Sequence, residues 1–295
     1  MNNIYKSLWK TKLGYTMNNN ARGYIYLILV VLIWGSAYPV VKILENYISP
    51  IYVALLRSLI GGLIIFIIWR KMIFGIKETI AGILNNALFL IFLNLGIMYS
   101  KNPSLAAVLV YTQPIFVVIL SKIYLKLKIT LIQYIGIIIG FVGIFLTNIS
   151  SIGFSIGLIF SLLSGISWAL GTVYFVKNLH DRDIIGLNSY MSLISAPFIS
   201  IFIPLSNYFI ISLKSLLLIL YTTAIIQAAA WLLWFYAVRA LGPVKSSAIV
   251  MLTPAVSFIF TIYLIKVLPS LLQIIGSAIV LIGSIMSQSS YRKRA

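Results

Sequence analysis

The side chains with the most chemical potential lie inside long apolar runs, where polar groups are costly. Trp34 and Tyr38 stand one helical turn apart and share a face, and Trp168 with Thr172 makes the corresponding pair later in the chain. Rings placed away from the membrane–water boundary, where Trp and Tyr usually collect, serve either as a stacking surface for a flat or amphipathic solute or as packing. Tyr111 and Gln113 precede Pro114, which has no N–H to donate and disfavours helical geometry at the residue before it, so a kink there leaves a polar patch in mid-span. Thr253-Pro254 repeats the arrangement. With Gln227 and Trp231, the residues Trp34, Tyr38, Tyr111, Gln113, Trp168 and Thr172 form a candidate cavity. In it the rings supply apolar contact, the amides orient polar groups, and Pro114 and Pro254 let the chain bend. Asn85, Asn86 and Asn94 are further buried amides, suited to touching a solute or to tying helices together. Arg57 is the one cation placed within a span. It has two readings, an outward reach toward Glu45 or backbone carbonyls, or contact with a solute carboxylate or a gate.

What is missing narrows the chemistry. There is no cysteine and one histidine, His180, which excludes disulfides, thiolate chemistry, cysteine metal sites and a histidine cluster. No acid lies deep in a span: Glu45 and Glu78 fall at ends, and Asp181 and Asp183 sit with His180 and Arg182 in one short segment that reads as a solvated turn. No catalytic residue, metal or cofactor is therefore expected, and the chain does not read as an enzyme. Proton-coupled carriers generally use a buried carboxylate or His relay, so a facilitator or exchanger is the simpler expectation. The formal charge of +18 is spread over short loops with no basic recognition helix, and no nucleic-acid partner is expected.

These residues are positioned by a chain that is 61% hydrophobic and 9% charged, where a soluble domain carries about 25% charged residues. Lipid is the implied solvent. A hydrocarbon core of about 30 Å needs roughly 20 apolar residues as helix, and breaks at charges, Pro and Gly divide the chain into ten segments. They run near Tyr24–Leu44, Ile51–Trp69, Ile80–Tyr99, Ser104–Tyr124, Leu131–Asn148, Phe154–Val176, Ile184–Leu205, Leu216–Val238, Val244–Ile265 and Leu271–Ser287. With the N-terminus inside, 17 Lys and Arg fall on the cytoplasmic side and four (Lys42, Lys101, Lys214 and Lys266) on the other. The positive-inside rule then puts both termini in the cytoplasm. The basic stretch 1–23 lacks the apolar core of an export signal and reads as a disordered tail. Met-Asn-Asn at Met1 recurs at Met17, so translation starting at Met17 is an alternative.

An internal repeat organises the segments. A shift of 140 residues, the separation of Pro114 and Pro254, also superposes Pro103 on Pro243, Lys126 on Lys266, Gln133 on Gln273, Gly136 on Gly276 and Gly143 on Gly283. Equivalent helices are five spans apart, so the second half enters the membrane from the opposite side, the inverted-topology plan of many secondary transporters. The expected fold is all-α and integral to the membrane, ten transmembrane helices as two inverted five-helix repeats, with repeats at 24–149 and 150–288 and a basic tail at 289–295.

Several motifs carry a family resemblance: Ile33-Trp34-Gly35-Ser36-Ala37-Tyr38 followed by Lys42, then Arg57, then Pro103 through Pro114 to Gly136 and Gly143. The second half offers Ser167-Trp168-Ala169-Leu170-Gly171-Thr172, Trp234-Phe235-Tyr236-Ala237 leading into Gly242-Pro243, then Pro254, Gly276 and Gly283. In this order and duplication the chain resembles the drug/metabolite transporter superfamily, within it the ten-span EamA family, from about residue 22 to 288. The resemblance implies export of amino acids or related metabolites across the cell membrane by alternating access, with a small-molecule solute and the lipid bilayer as partners. It leaves open a drug exporter, a carrier of sugars or phosphorylated metabolites, a non-transporting scaffold of another class, and the oligomeric state, a monomer being compatible. One departure matters: where the family often has Glu after the fourth and ninth spans, this chain has Leu127 and Val267, so no coupling role for that acid carries over.

Overall fold

The computed structural model describes residues 2–99, 109–146, 155–266, 268 and 270–287, with side chains described from Asn20 onward except at 265 and 273. Lys101, Pro103, Val267 and the tail at 289–295 lie outside the described residues, as does the junction between the two repeats. In lipid every backbone N–H and C=O must be satisfied within its own segment, so the apolar runs are helices. Among the described residues six helices are long and apolar enough to cross a membrane, and four shorter apolar helices accompany them. In chain order they are α1 (Asn2–Leu44, apolar from Asn20), α2 (Pro50–Trp69), α3 (Ile76–Tyr99), α4 (Gln113–Tyr124), α5 (Leu131–Leu146), α6 (Ile156–Asn178), α7 (Ile184–Ser200), α8 (Leu213–Leu241), α9 (Pro243–Val250 and Thr253–Ile265) and α10 (Leu271–Ser287).

Local chemistry explains the boundaries. Ser212 and Ser215 form a reciprocal capping box that starts α8 at Leu213, three residues earlier than hydropathy suggests. Asp183 caps α7 by accepting from the Gly186 N–H. Lys126 and Lys266, equivalent under the repeat, both follow helix ends with φ of 54° and 61°, left-handed residues that stop α4 and α9 alike.

Polarity is arranged inside out. Ile25, Ile28, Leu29 and Leu32 present an exposed apolar stripe on α1, while Leu27, Val30, Val31 and Trp34 on its other face are buried. The amides Asn85, Asn86, Asn94, Gln113, Asn188 and Gln227 are all buried. Helix neighbours obey an internal two-fold: α1 packs on α8 and α9 as α6 packs on α3 and α4, α2 on α8 as α7 on α3, while α2·α7 and α5·α10 pair a helix with its own repeat mate. That is the pattern of two five-helix halves related by a pseudo-two-fold axis.

The α5·α10 seam is built from backbone. A Cβ on Gly143 would lie 2.6 Å from the Gly276 carbonyl oxygen and 2.7 Å from the Val280 nitrogen, and one on Gly136 would lie 2.7 Å from the Gly283 oxygen. Glycine is required here by close approach, as in small-residue membrane interfaces. Gly143→Leu should force the helices apart and destabilise the protein by about 1–3 kcal/mol, the usual range for overpacking. The check is the melting temperature of the variant in detergent, and an unchanged value would mean that the seam carries little of the stability.

Candidate functional site

The two halves meet where their helices are least regular. In α3 the segment Ile83–Leu88 is π-helical, and in α8 the segment Tyr221–Ala229 is too. The repeat shift of 140 residues carries the first onto 223–228, inside the second. Polar side chains competing for nearby carbonyls give a local cause: Asn85 bonds back to the Ala81 oxygen, and Thr222 and Thr223 both reach the Ile219 oxygen. Neighbouring helices supply donors to the widened turns. Ser167 and Ser164 of α6 donate to the Leu84 and Phe89 carbonyls at 2.7 and 2.9 Å, and the Trp34 indole of α1 donates to the Ile226 carbonyl at 3.3 Å. Because α1 and α6 are repeat mates, the same solution appears twice. Widened turns of this kind frequently mark functional sites.

Between these segments sits a cluster of rings. Trp34 lies 5.3 Å from Trp168, 5.4 Å from Trp231 and 5.8 Å from Trp234, centroid to centroid. Trp168 lies 5.2 Å from Trp234 and 6.3 Å from Trp231, and Phe89 touches Trp168 and Trp231 at 5.7 and 5.6 Å. Tyr111 joins Trp168 at 6.3 Å and Tyr38 joins Tyr111 at 6.3 Å. Each well-placed aromatic pair is worth about 0.5–1.5 kcal/mol beyond its burial. The indole N–H groups of Trp168, Trp231 and Trp234 are nonetheless buried without a hydrogen-bond acceptor. A buried orphan donor costs about 1–3 kcal/mol, so three of them offset much of what the ring contacts contribute.

The amides flank the rings. Gln227 donates from Nε2 to Asn86 Oδ1 at 3.1 Å, joining the two π segments, which leaves Gln227 Oε1 and Asn86 Nδ2 buried and unpartnered. Gln113 Nε2 approaches Thr172 Oγ1 at 3.5 Å, while Thr172 donates to the Trp168 carbonyl at 2.8 Å. Asn85 and Asn94, by contrast, donate to carbonyls of their own helix. Gly61 and Gly171 allow α2 and α6 to close on this layer, since a Cβ there would fall 2.7 Å from Gln227 Cγ and 2.4 Å from Asn85 Cγ.

Pro114 and Pro254 each sit in the first turn after a break, at Tyr111–Thr112 in one half and Met251–Leu252 in the other, so the fourth and ninth spans are interrupted and not merely bent. The prolines stand at the breaks and not among the rings. Arg57 is buried, 7% exposed, with its Nε unpartnered and the Tyr38 hydroxyl as its electrostatic neighbour. It does not reach Glu45, which is held by Lys42 at 3.5 Å; burial raises the Glu45 pKa while Lys42 pulls it back. The segment His180-Asp181-Arg182-Asp183 is an exposed turn, as expected, and also serves as a tether. Asp183 pairs with Lys71 at 3.6 Å, Arg182 with buried Glu78 at 3.2 Å, and Arg239 donates to the Arg182 carbonyl.

Thus Trp34, Tyr38, Tyr111, Trp168 and Trp231 converge in one cluster, with Gln113, Thr172 and Gln227 at its margin. Sequence reasoning omitted Trp234, Phe89 and the pairing of Asn86 with Gln227. Trp234 was visible as a ring three residues from Trp231 on the same helix face, whereas Phe89 carries no signal apart from its neighbours.

Architecture and site together define a polytopic membrane transporter built from two repeats. The profile of the EamA-like transporter family matches twice, at residues 21–149 and 155–288, and the chain belongs to that family. It is similar to the uncharacterized transporter YvbV of Bacillus subtilis, 28% identical over 80% of this chain and 81% of that protein. It is also similar to an uncharacterized transporter of Archaeoglobus fulgidus, 28% identical over 88% and 96%, and to a transporter of Acidianus ambivalens, 31% identical over 68% and 79%. A solved crystal structure shares the fold, with a TM-score of 0.73 at 15% identity, covering 91% of this chain and 96% of its own.

The Asn86–Gln227 bond gives a test of what the amides do. Gln227→Leu should destabilise the protein by about 0.6–1.7 kcal/mol, the range for interhelical bonds in membranes, and lower transport. The double variant Asn86→Leu/Gln227→Leu should recover stability, because removing both partners is nearly neutral, but not transport. Full transport by a stable double variant would make the pair purely structural.

Proposed function

We propose that the protein is a secondary transporter that moves a small organic metabolite, an amino acid or a related compound, outward across the cell membrane by alternating access, with both termini in the cytoplasm. The observation that carries this reading is the ring cluster at the junction of the two repeats, with three buried indole N–H donors, the Asn86 amide N–H and the Gln113 and Gln227 amide oxygens unpartnered. An inverted repeat needs a site near the midplane that each half-bundle exposes in turn, and a site built from α1, α3, α4, α6 and α8 has that relation to both halves. Trp34, Trp168, Trp231 and Trp234 would hold the apolar body of the solute, Gln227, Asn86 and Gln113 its polar groups. The breaks before Pro114 and Pro254 would give the hinges. The two repeats, 24–149 and 150–288, would act as the moving units, with the basic stretches 1–23 and 289–295 as tails. The cluster is complete within one chain, which suits a monomer.

The ends of the bundle support gating by loops. At one end Lys71–Asp183, Arg182–Glu78 and the Ile73 N–H to Gly186 oxygen bond join the connections on either side of α3 and α7. At the other, Ser49 N–H donates to Tyr208 O at 3.1 Å, Ile210 N–H to Tyr47 O at 2.7 Å, and the Tyr208 hydroxyl to Glu45 O at 2.6 Å. The latched connections at the two ends are equivalent under the repeat, as alternating closure requires. The cytoplasmic assignment of the first end rests on its Lys and Arg.

Uptake and efflux of labelled amino acids by purified protein in proteoliposomes, with and without a pH gradient, test the proposal against empty vesicles. Saturable movement independent of the gradient is expected, since no acid lies deep in a described span, and gradient-driven movement would contradict a facilitator. Trp168→Ala should lower transport at least about tenfold while the protein still inserts, the loss of a well-packed ring being worth more than the 1.4 kcal/mol that a factor of ten represents. Normal transport by that variant would remove Trp168 from the site.

A further inference from the structure

The chain contains four acidic residues in all, and each is engaged elsewhere: Glu45 with Lys42, Glu78 with Arg182, Asp183 with Lys71 and Asp181 with His180. No acidic side chain, all four of which are described, is therefore paired with Arg57. It is the eighth residue of α2, about 10 Å from the helix start at ~1.5 Å per residue. Every other Lys or Arg on a described apolar span lies within one turn of an end of that span. A guanidinium stays ionised at any ordinary pH, and burying a charge without a counter-charge is strongly unfavourable. Arg57 is nonetheless 7% exposed, with Nε unpartnered. Its electrostatic neighbour Tyr38 leads by ring contacts at 6.3 Å each through Tyr111 to Trp168, so the charge stands at one edge of the aromatic cluster.

We propose that Arg57 is the anion-binding residue of the transport site and that the solute carries a carboxylate. Resting on the reading of the cluster as a solute site, this adds the charge of the cargo. The carboxylate takes the place of the missing counter-ion in a forked pair with the guanidinium, the Tyr38 hydroxyl, the electrostatic neighbour of Arg57, is a further polar contact, and the apolar body lies along Tyr38 and Tyr111 toward Trp168. A cationic drug has no place beside an unpaired guanidinium, so the same residue excludes that class by repulsion.

The test is binding by the purified full chain in detergent micelles, read by quenching of its own tryptophan fluorescence. Paired probes differ only in charge: phenylacetate against phenylacetamide, and hexanoate against hexanamide, with chloride and inorganic phosphate as competitors. The wild-type protein should bind each acid at least about tenfold tighter than its amide, the scale of a charge-assisted hydrogen bond. Arg57→Gln should bind acid and amide alike, Arg57→Lys should keep part of the preference, and Tyr38→Phe, which preserves the ring, should weaken the acids alone. Equal affinity for acid and amide in the wild type, no binding of either acid, competition by chloride or phosphate as effective as by the acids, or a preference that survives in a folded Arg57→Gln protein would each overturn the assignment. Transport of neutral metabolites that needs Trp168 but not Arg57 would overturn this inference and leave the transporter reading standing. Loss of all transport by the wild type in vesicles would instead retire the transporter reading.

Discussion

A helix in lipid has no partner for a backbone carbonyl except the N–H of its own next turn. Among the described residues the regular ladder is interrupted or widened in four places, the π segments of α3 and α8 and the breaks in the fourth and ninth spans. The polar side chains of the π segments, Asn85, Asn86, Thr222, Thr223 and Gln227, are buried among other helices, and serines or an indole from the repeat-related helix supply donors to the π segments. The rest of the architecture follows from protecting that layer. Exposed faces are predominantly apolar, mostly aliphatic with rings such as Phe145, Phe198 and Tyr263, glycines bring α2, α5, α6 and α10 close, and the amides are turned inward.

Within the protected layer the balance of energies is unusual. Aromatic contacts draw Trp34, Trp168, Trp231 and Trp234 together, yet three of the four indoles keep an unsatisfied N–H. A core evolved only for stability would use Leu or Phe at such positions, with no donor to strand. The same holds for Asn86 and Gln227, whose one mutual bond leaves a donor and an acceptor over. These costs are what a layer that must also accept a partly polar solute would carry, since each orphan group is a place where solute contact is more favourable than none.

Charge is distributed with equal economy. Ion pairs cluster at the ends of the bundle, where water screens them and their net worth is small, and where they tie loops to one another. Arg57 stands apart, a fixed positive charge in a layer otherwise neutral. In the proposed transport site its field would act on a solute at close range with little screening.

The sequence by itself determined the solvent, the secondary structure and the duplication, because these depend on composition and on periods short enough to read along one chain. Segments of about 20 apolar residues are helices wherever water is excluded, and Pro114 with Pro254 and Gly143 with Gly283 reveal the repeat by spacing alone. Tertiary structure alone decided which rings meet, that Trp234 and Phe89 complete the cluster, that Gln227 chooses Asn86, and that Arg57 finds no acid. Those outcomes join residues as far apart in the chain as Trp34 and Trp234, through contacts set by how the two halves cross. The direction of a side chain around a helix that is apolar on nearly every face is not encoded in that helix's own pattern, so only its neighbours could settle which face carries the site.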